Sequence, residues 1–209
     1  MAAPAHLADG VEIAPGVRIP WIGLGTYEAY GDSVYRAVRS ALDEGYRHVD
    51  TAAFYDNEAE IGRAVRDSGI PRGEVFVTTK LWNSDQPRAR AAFERSRDLL
   101  DLGPVDLYLL HWPVPEHRLR AWAELERLLV EGQCRAIGVS NFMPGHLEEL
   151  LAACDTPPAV NQIELSPFLQ QEEAVNACRE RGIAVHAYIP LTKRERLDDP
   201  LLHASADGL

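Results

Sequence analysis

This sequence predicts an α/β fold on a parallel sheet, of the (β/α)8 or TIM-barrel type. Three observations point there. Short, β-branched-rich apolar runs alternate with amphipathic segments along nearly the whole chain. Successive runs begin 23 to 31 residues apart, the spacing of strand–helix–strand units with right-handed crossovers. Polar or titratable residues also stand at the carboxyl end of run after run, and a parallel barrel gathers such ends on one rim.

The elements follow in order. Residues 11–13 and 17–19 flank Ala14-Pro15-Gly16 and read as a hairpin. Residues 21–25 read as a first buried strand. Further strands fall at 46–50, 75–80, 105–111, 136–140, 159–163 and 183–188, each apolar on both faces, as suits a sheet covered on both sides. Between them, 32–44 carries Val34, Ala37, Val38, Ala41 and Leu42 at helical spacing, with Gly45 as a stop. Residues 57–68 place Ile61, Ala64 and Val65 on one face ahead of Gly69. Residues 87–102 begin with proline and end before Gly103, the usual asymmetry of helix ends. Residues 119–131 carry Trp122, Leu125, Leu128 and Leu129 ahead of Gly132, and helices at 144–153 and 170–181 complete the series. The apolar stripes are core-facing surfaces. An open doubly wound sheet competes with the barrel, but the first strand–helix turn reads GLGTYEAYGD rather than GxGxxG, and no GxxxxGK[ST] loop occurs.

Composition sets outer bounds. At 209 residues, 46% hydrophobic and 25% charged, 1–209 reads as a single globular domain, not a collagen, a disordered tail or a disulfide-dense miniprotein. With 32 acidic and 21 basic residues the net charge is −11, against the basic face that nucleic acid requires. Cys134, Cys154 and Cys178 are widely spaced, with no CxxC; neither a disulfide framework nor a zinc site is expected, and a reducing compartment fits. MAAPAHLADG lacks the pattern of a signal peptide, and no apolar run reaches the ~18–20 residues of a membrane span. The expectation is a soluble cytoplasmic protein without metal, nucleic-acid or membrane partners, its oligomeric state open.

The strand ends carry the chemistry. Asp50 ends YRHVD, Lys80 ends VFVTTK, His111 ends VDLYLLH, and Ser140 and Asn141 end AIGVSN; Gln162 lies near the end of AVNQIE, and Tyr188 ends AVHAY. The chain holds two lysines against nineteen arginines, so Lys80 at the end of an apolar strand is not background usage. A buried lysine needs a carboxylate, and Asp50 is the candidate. A lysine also stabilises a nearby phenolate, lowering the phenol from its usual pKa of ~10, and the loop after Asp50 supplies Tyr55. A neutral His111 can donate one hydrogen bond to a substrate oxygen. Together these groups can polarise a carbonyl and protonate it as hydride arrives. Plainer uses stand beside each: Asp50 as a loop cap, Tyr55 as packing, His111 satisfied by backbone, Ser140-Asn141 as a turn. A metal-dependent hydrolase is disfavoured, because the rim has one histidine and the others show no ligand spacing.

The runs GYRHVDTAAFYDNEAEIG, VFVTTKLWN, VDLYLLHWP, AIGVSNF and AVNQIELSPF, in that order and spacing, resemble the aldo-keto reductase superfamily over residues 10–191. The resemblance implies a (β/α)8 barrel closed below by an N-terminal hairpin, and NADPH-dependent reduction of aldehydes and ketones. It implies Tyr55 as general acid, Lys80 as the lysine that lowers its pKa, Asp50 as the carboxylate paired with that lysine, and His111 as the group orienting the carbonyl. It implies Ser140, Asn141 and Gln162 on the nicotinamide carboxamide, Tyr188 stacked on the ring, and Thr26, Asp50 and Leu191 also in the cofactor site. Tyr27, Phe54, Trp82, His111 and Trp112 match positions lining a substrate pocket, which together with the short 113–119 loop suggests small or medium carbonyls.

The chain departs from that family after Tyr188. Twenty-one residues remain, 201–206 beginning a helix, and no eighth strand or basic phosphate-gripping segment appears among them; Ile189 stands where serine is common. The expected barrel is therefore incomplete, at about seven β/α units, with 192–209 an atypical tail and unpaired sheet edges. Lys193, Arg194 and Arg196 are candidates for the cofactor's pyrophosphate. The alternative function is a non-catalytic remnant or a partner-binding module.

Overall fold

A computed structural model describes residues 6–200, 202 and 203. Gly10–Ala14 (β1) and Val17–Pro20 (β2) form the antiparallel hairpin, turning at Gly16 with φ +72°. Seven parallel strands follow in chain order: Leu24–Gly25 (β3), His48–Asp50 (β4), Phe76–Leu81 (β5), Val105–Leu110 (β6), Cys134–Ser140 (β7), Val160–Glu164 (β8) and Ala184–Tyr188 (β9). Six α-helices connect and cover them: Gly31–Asp43 (α1), Glu58–Asp67 (α2), Ala89–Leu100 (α3), Arg118–Val130 (α4), Pro144–Leu151 (α5) and Glu172–Glu180 (α6). The sheet curls into a nearly closed barrel in which β3 and β9 each have one strand partner among the described residues.

The two-residue period of the strands divides the side chains. One set faces the helices, where Val77, Leu81, Tyr108, Leu110, Ile137 and Val139 pack with Val38, Ile61, Phe93, Trp122 and Leu147. The other faces the barrel axis. Its lower layer is apolar: Phe76, Leu107, Leu109, Ala136 and Val160 pack on Val17 and Ile19 of the hairpin, which seals the floor. Further along β5, β7 and β8, the same period brings Thr78, Lys80, Ser140 and Gln162 inward toward the upper rim. Gly138 permits this crowding, since a Cβ there would lie 2.7 Å from both Leu109 Cδ2 and Val160 O.

Several expectations need correction. The first barrel strand is two residues, not 21–25, and Trp21 and Ile22 are exposed. Residues 21–23 carry the chain up from the hairpin, with Trp21 N bonded to Asp9 O at 2.8 Å, and among the described residues β3 has a neighbour on one side only. For the same reason β9 is only half-buried along its length. The third helix starts at Ala89, because Pro87 lies in a separate 3-10 segment, Asn83–Arg88. The sixth starts at Glu172, after Gln171 in a left-handed conformation at φ 44°. Of the expected helix at 201–206, Leu202 and His203 are helical and the rest lies outside the described residues.

Candidate active site

Asp50 and Lys80 meet above the floor from adjacent strands. Lys80 Nζ donates to Asp50 Oδ1 at 2.5 Å and to Thr51 O at 2.7 Å, fully buried. Burial pulls the Lys80 ammonium below its ordinary value, against the pull of Asp50. Burial would raise the Asp50 carboxyl, but Lys80, then His186 and His48, outweigh it and hold it below its usual range. The geometry is that of an ion pair, ammonium on carboxylate.

Tyr55 ends a 3-10 turn, Ala53–Tyr55, after which Asp56 takes φ 51°. Its Oη is 3.5 Å from Lys80 Nζ. Asn57, one of the buried residues the sequence reading left unassigned, fastens this loop. Its amide donates to Thr26 O and Ala29 O at 3.0 and 2.9 Å, and its oxygen accepts from Thr51 Oγ1 at 2.6 Å. Thr26 in turn donates through N and Oγ1 to Asp50 O. The expected lowering of Tyr55 by Lys80 is not what this geometry produces. Burial first, then Asp50, pushes the phenol well above its usual value, because the lysine is held on the carboxylate and lies at the edge of hydrogen-bond range.

His111 follows β6, its N bonded to Leu81 O at 3.1 Å. Burial and then Lys80 pull it down to about 3, so the ring is neutral, and its Nδ1 is buried without a partner among the described residues. Asn141, at φ 63°, donates to His111 O and Ser140 Oγ, and accepts from Tyr188 Oη at 2.8 Å. Ser140 Oγ donates to Gln162 O at 2.8 Å. Gln162 Nε2 lies 2.7 Å from Asp50 Oδ2, crossing the barrel from β8 to β4.

These groups converge on one cavity of about 600 Å³ at the upper rim. Thr26, Asp50, Ser140, Asn141 and Gln162 supply its polar side, and Tyr55, His111 and Tyr188 also line it. Tyr27, Phe54, Trp82 and Trp112 form an aromatic wall, with Phe54 stacked on Trp82 at 3.9 Å. Lys80 stands behind this lining. Leu191 is not on it: it is 61% exposed, and Ile189 and Lys193 line the cavity instead. Positive φ angles at Ile189, Thr192 and Lys193 fold this segment so that Lys193 turns in, 3.9 Å from Glu28. Arg196 does not join it, being bonded to Asp199 and stacked on Phe168 at 3.4 Å. Arg194 is not among the lining residues either. Two clefts of about 560 and 370 Å³ lie away from the rim, on the α3–α4 flank and beside the hairpin. Among the described residues no cluster of His, Cys, Asp or Glu suits a metal, and no helix is long and apolar enough to cross a membrane. The sequence reading also passed over His48 and His186 as site residues. Both sit two positions before rim residues, Asp50 and Tyr188, and the strand period is the signal that points them inward.

The aldo/keto reductase family model matches residues 21–197. The chain is 49% identical over 188 residues to a 9,11-endoperoxide prostaglandin H2 reductase of Trypanosoma cruzi, covering 88% of this chain and 66% of the relative. It is 42% identical over 207 residues to a glyoxal reductase of Bacillus subtilis, covering 98% and 75%. Among solved structures, a Bombyx mori aldo-keto reductase in complex with NADP aligns with a TM-score of 0.88 at 35% identity, covering 98% of this chain and 76% of that one. The chain thus spans 66% to 76% of the length of these relatives.

Proposed function

The chain belongs to the aldo/keto reductase family of oxidoreductases, and we propose that its rim site reduces a small aldehyde or ketone to the alcohol with NADPH. The observation that carries this reading is the convergence of the Asp50–Lys80 ion pair, the Tyr55 hydroxyl and a neutral His111 on one aromatic-walled cavity. The polar residues lining the cavity beside it would hold a nicotinamide: Gln162 has its side-chain oxygen to accept from a carboxamide N–H, Ser140 and Asn141 stand next to it, and Tyr188 offers a ring. When bound, the cofactor supplies the hydride.

The residues of the chain do the rest. His111, neutral, has a proton to donate to the carbonyl oxygen and adds no charge of its own. Tyr55 holds its proton at Oη at rest, because burial and Asp50 raise its pKa. It releases that proton when the carbonyl oxygen becomes a strongly basic alkoxide. Lys80 then faces the phenolate from 3.5 Å, and Asp50 keeps the ammonium in place.

Tyr55→Phe tests the reading. With a panel of small aldehydes and ketones, the wild type should consume NADPH, and the variant should lose ~10²–10⁴-fold in kcat while still quenching tryptophan fluorescence with NADPH. Full activity in the variant would refute the role of Tyr55. A second reading, a binding module without turnover, draws on the phosphate end. Lys193 there faces Glu28, and Arg196 is taken up by Asp199. Saturable NADPH binding without carbonyl consumption by the wild type would favour it.

A further inference from the structure

We propose that His186 is a positioning residue for Gln162, fixing which end of that amide is offered to the cavity, and that it does so as a neutral imidazole protonated on Nε2. The part of this concerning cofactor rests on the reductase reading; the part concerning the imidazole does not.

Gln162 lies between two partners. Its Nε2 is 2.7 Å from Asp50 Oδ2 and 3.0 Å from His186 Nδ1. An amide nitrogen has two hydrogens to give and accepts nothing, and an ionised carboxylate only accepts. Asp50, whose other oxygen is bound to Lys80, therefore determines which end of Gln162 is nitrogen. One hydrogen goes to Asp50 and the other to His186, so His186 Nδ1 must present a lone pair. That leaves Oε1 as the free end of Gln162, whose side chain lines the cavity. An oxygen there accepts from a carboxamide N–H; a reversed amide would present donors instead.

His48 stands behind His186, their ring centres 5.2 Å apart. Its Nε2 is 3.0 Å from Thr78 Oγ1, its ring meets Phe76 edge-on at 5.3 Å, and its Nδ1 is buried without a partner among the described residues. Gly23 makes room for it, since a Cβ there would come within 2.5 Å of Nδ1. The charged and titratable groups around His186 are His48 and Asp50 from β4 and Lys80 from β5. Asp50 favours a charged His186; burial and Lys80 oppose it and hold it below its ordinary value. His48 is pulled down to about 3, mainly by burial. A proton on Nδ1 would confront the Gln162 amide hydrogens, and the amide would have to leave Asp50 or turn over.

Two measurements test this. Nitrogen-15 NMR of histidine-labelled protein, with His186→Asn assigning the resonance, should show Nδ1 of His186 unprotonated and Nε2 protonated at neutral pH; the reverse tautomer would overturn the proposal. NADPH titrations should show His186→Met weakening binding about tenfold, the scale of one lost hydrogen bond. His186→Asn, whose amide oxygen can accept in its place, should recover most of the loss. In a Gln162→Ala background His186→Met should add nothing further, whereas an equal loss there would mean a merely structural histidine and would overturn the proposal. If the wild type fails to bind NADPH, the reductase reading falls, and the tautomer alone decides the assignment of His186.

Discussion

Replacing Lys80 by methionine removes a charge and three donors while keeping an unbranched side chain one atom shorter. It abandons a carboxylate in the interior. The Lys80 side chain is 1% exposed and that of Asp50 13%, and the change deletes the bonds to Asp50 Oδ1 and Thr51 O, leaving Asp50 the Gln162 amide. Removing one partner of a buried pair typically costs ~3–5 kcal/mol, and the loss at pH 7 should fall in that range by urea denaturation followed by circular dichroism. Its pH dependence has a definite sign. In the wild type the folded Asp50 pKa lies below the unfolded value of ~4, so its stabilisation is full above that value and is lost as pH falls through the folded pKa. In the variant the main opposing charge is gone and burial raises the folded pKa above the unfolded one. The penalty is then full at neutral pH and disappears as pH falls through that raised value. The difference between the two proteins should therefore shrink from pH 7 to pH 4, and adding Asp50→Asn should restore much of the loss at pH 7. A penalty below ~1 kcal/mol, the scale of an exposed pair, or one that stays flat with pH, would refute the view that this ion pair organises the rim.

Tyr55→Phe should leave the urea stability within ~0.5 kcal/mol of wild type, because the hydroxyl's hydrogen-bond contact is the 3.5 Å one to Lys80; a larger loss would make the residue structural. Gly62→Ala should destabilise by up to ~3 kcal/mol in a thermal melt, since a Cβ on α2 would sit 1.9 Å from Leu100 O at the end of α3; an unchanged melt would refute that packing. Asp106→Asn should cost ~1–3 kcal/mol in urea, because this buried carboxylate binds Arg72, Arg135 and Val77 N together; a neutral outcome would show the three donors satisfied elsewhere. His48 and His111 both fold with pKa values of about 3 against ~6.5 unfolded, so stability should be full above ~6.5 and decline steadily as pH falls toward 3. His48→Asn should flatten part of that decline, and an unchanged slope would refute the burial of a neutral His48.

Much of the fold could be read in advance because its strands and helices are local patterns. The apolar runs at 75–80 and 105–111 became β5 and β6 within one residue, and the stripe through Val34, Val38 and Leu42 became the buried face of α1. The reading failed where a neighbour, not a pattern, decides. Residues 21–25 look like a strand, but among the described residues only Leu24 and Gly25 find a strand partner. Pro87 looks like a helix start, yet the chain first makes a 3-10 segment whose Gln86 reaches back to Trp112 O at 2.7 Å.

By itself the sequence determined the α/β alternation, the hairpin and the set of polar residues brought to one rim, because strand period and strand order place every second side chain on the barrel axis. Only the tertiary structure decided how those residues are coupled. It set Lys80 on Asp50 rather than close to Tyr55, turned Lys193 but not Arg196 toward the cavity, and linked Gln162 to both Asp50 and His186. Those choices rest on distances of a few ångströms between strands far apart in the chain and on the burial that makes each unpaired charge costly, and neither is written in local pattern.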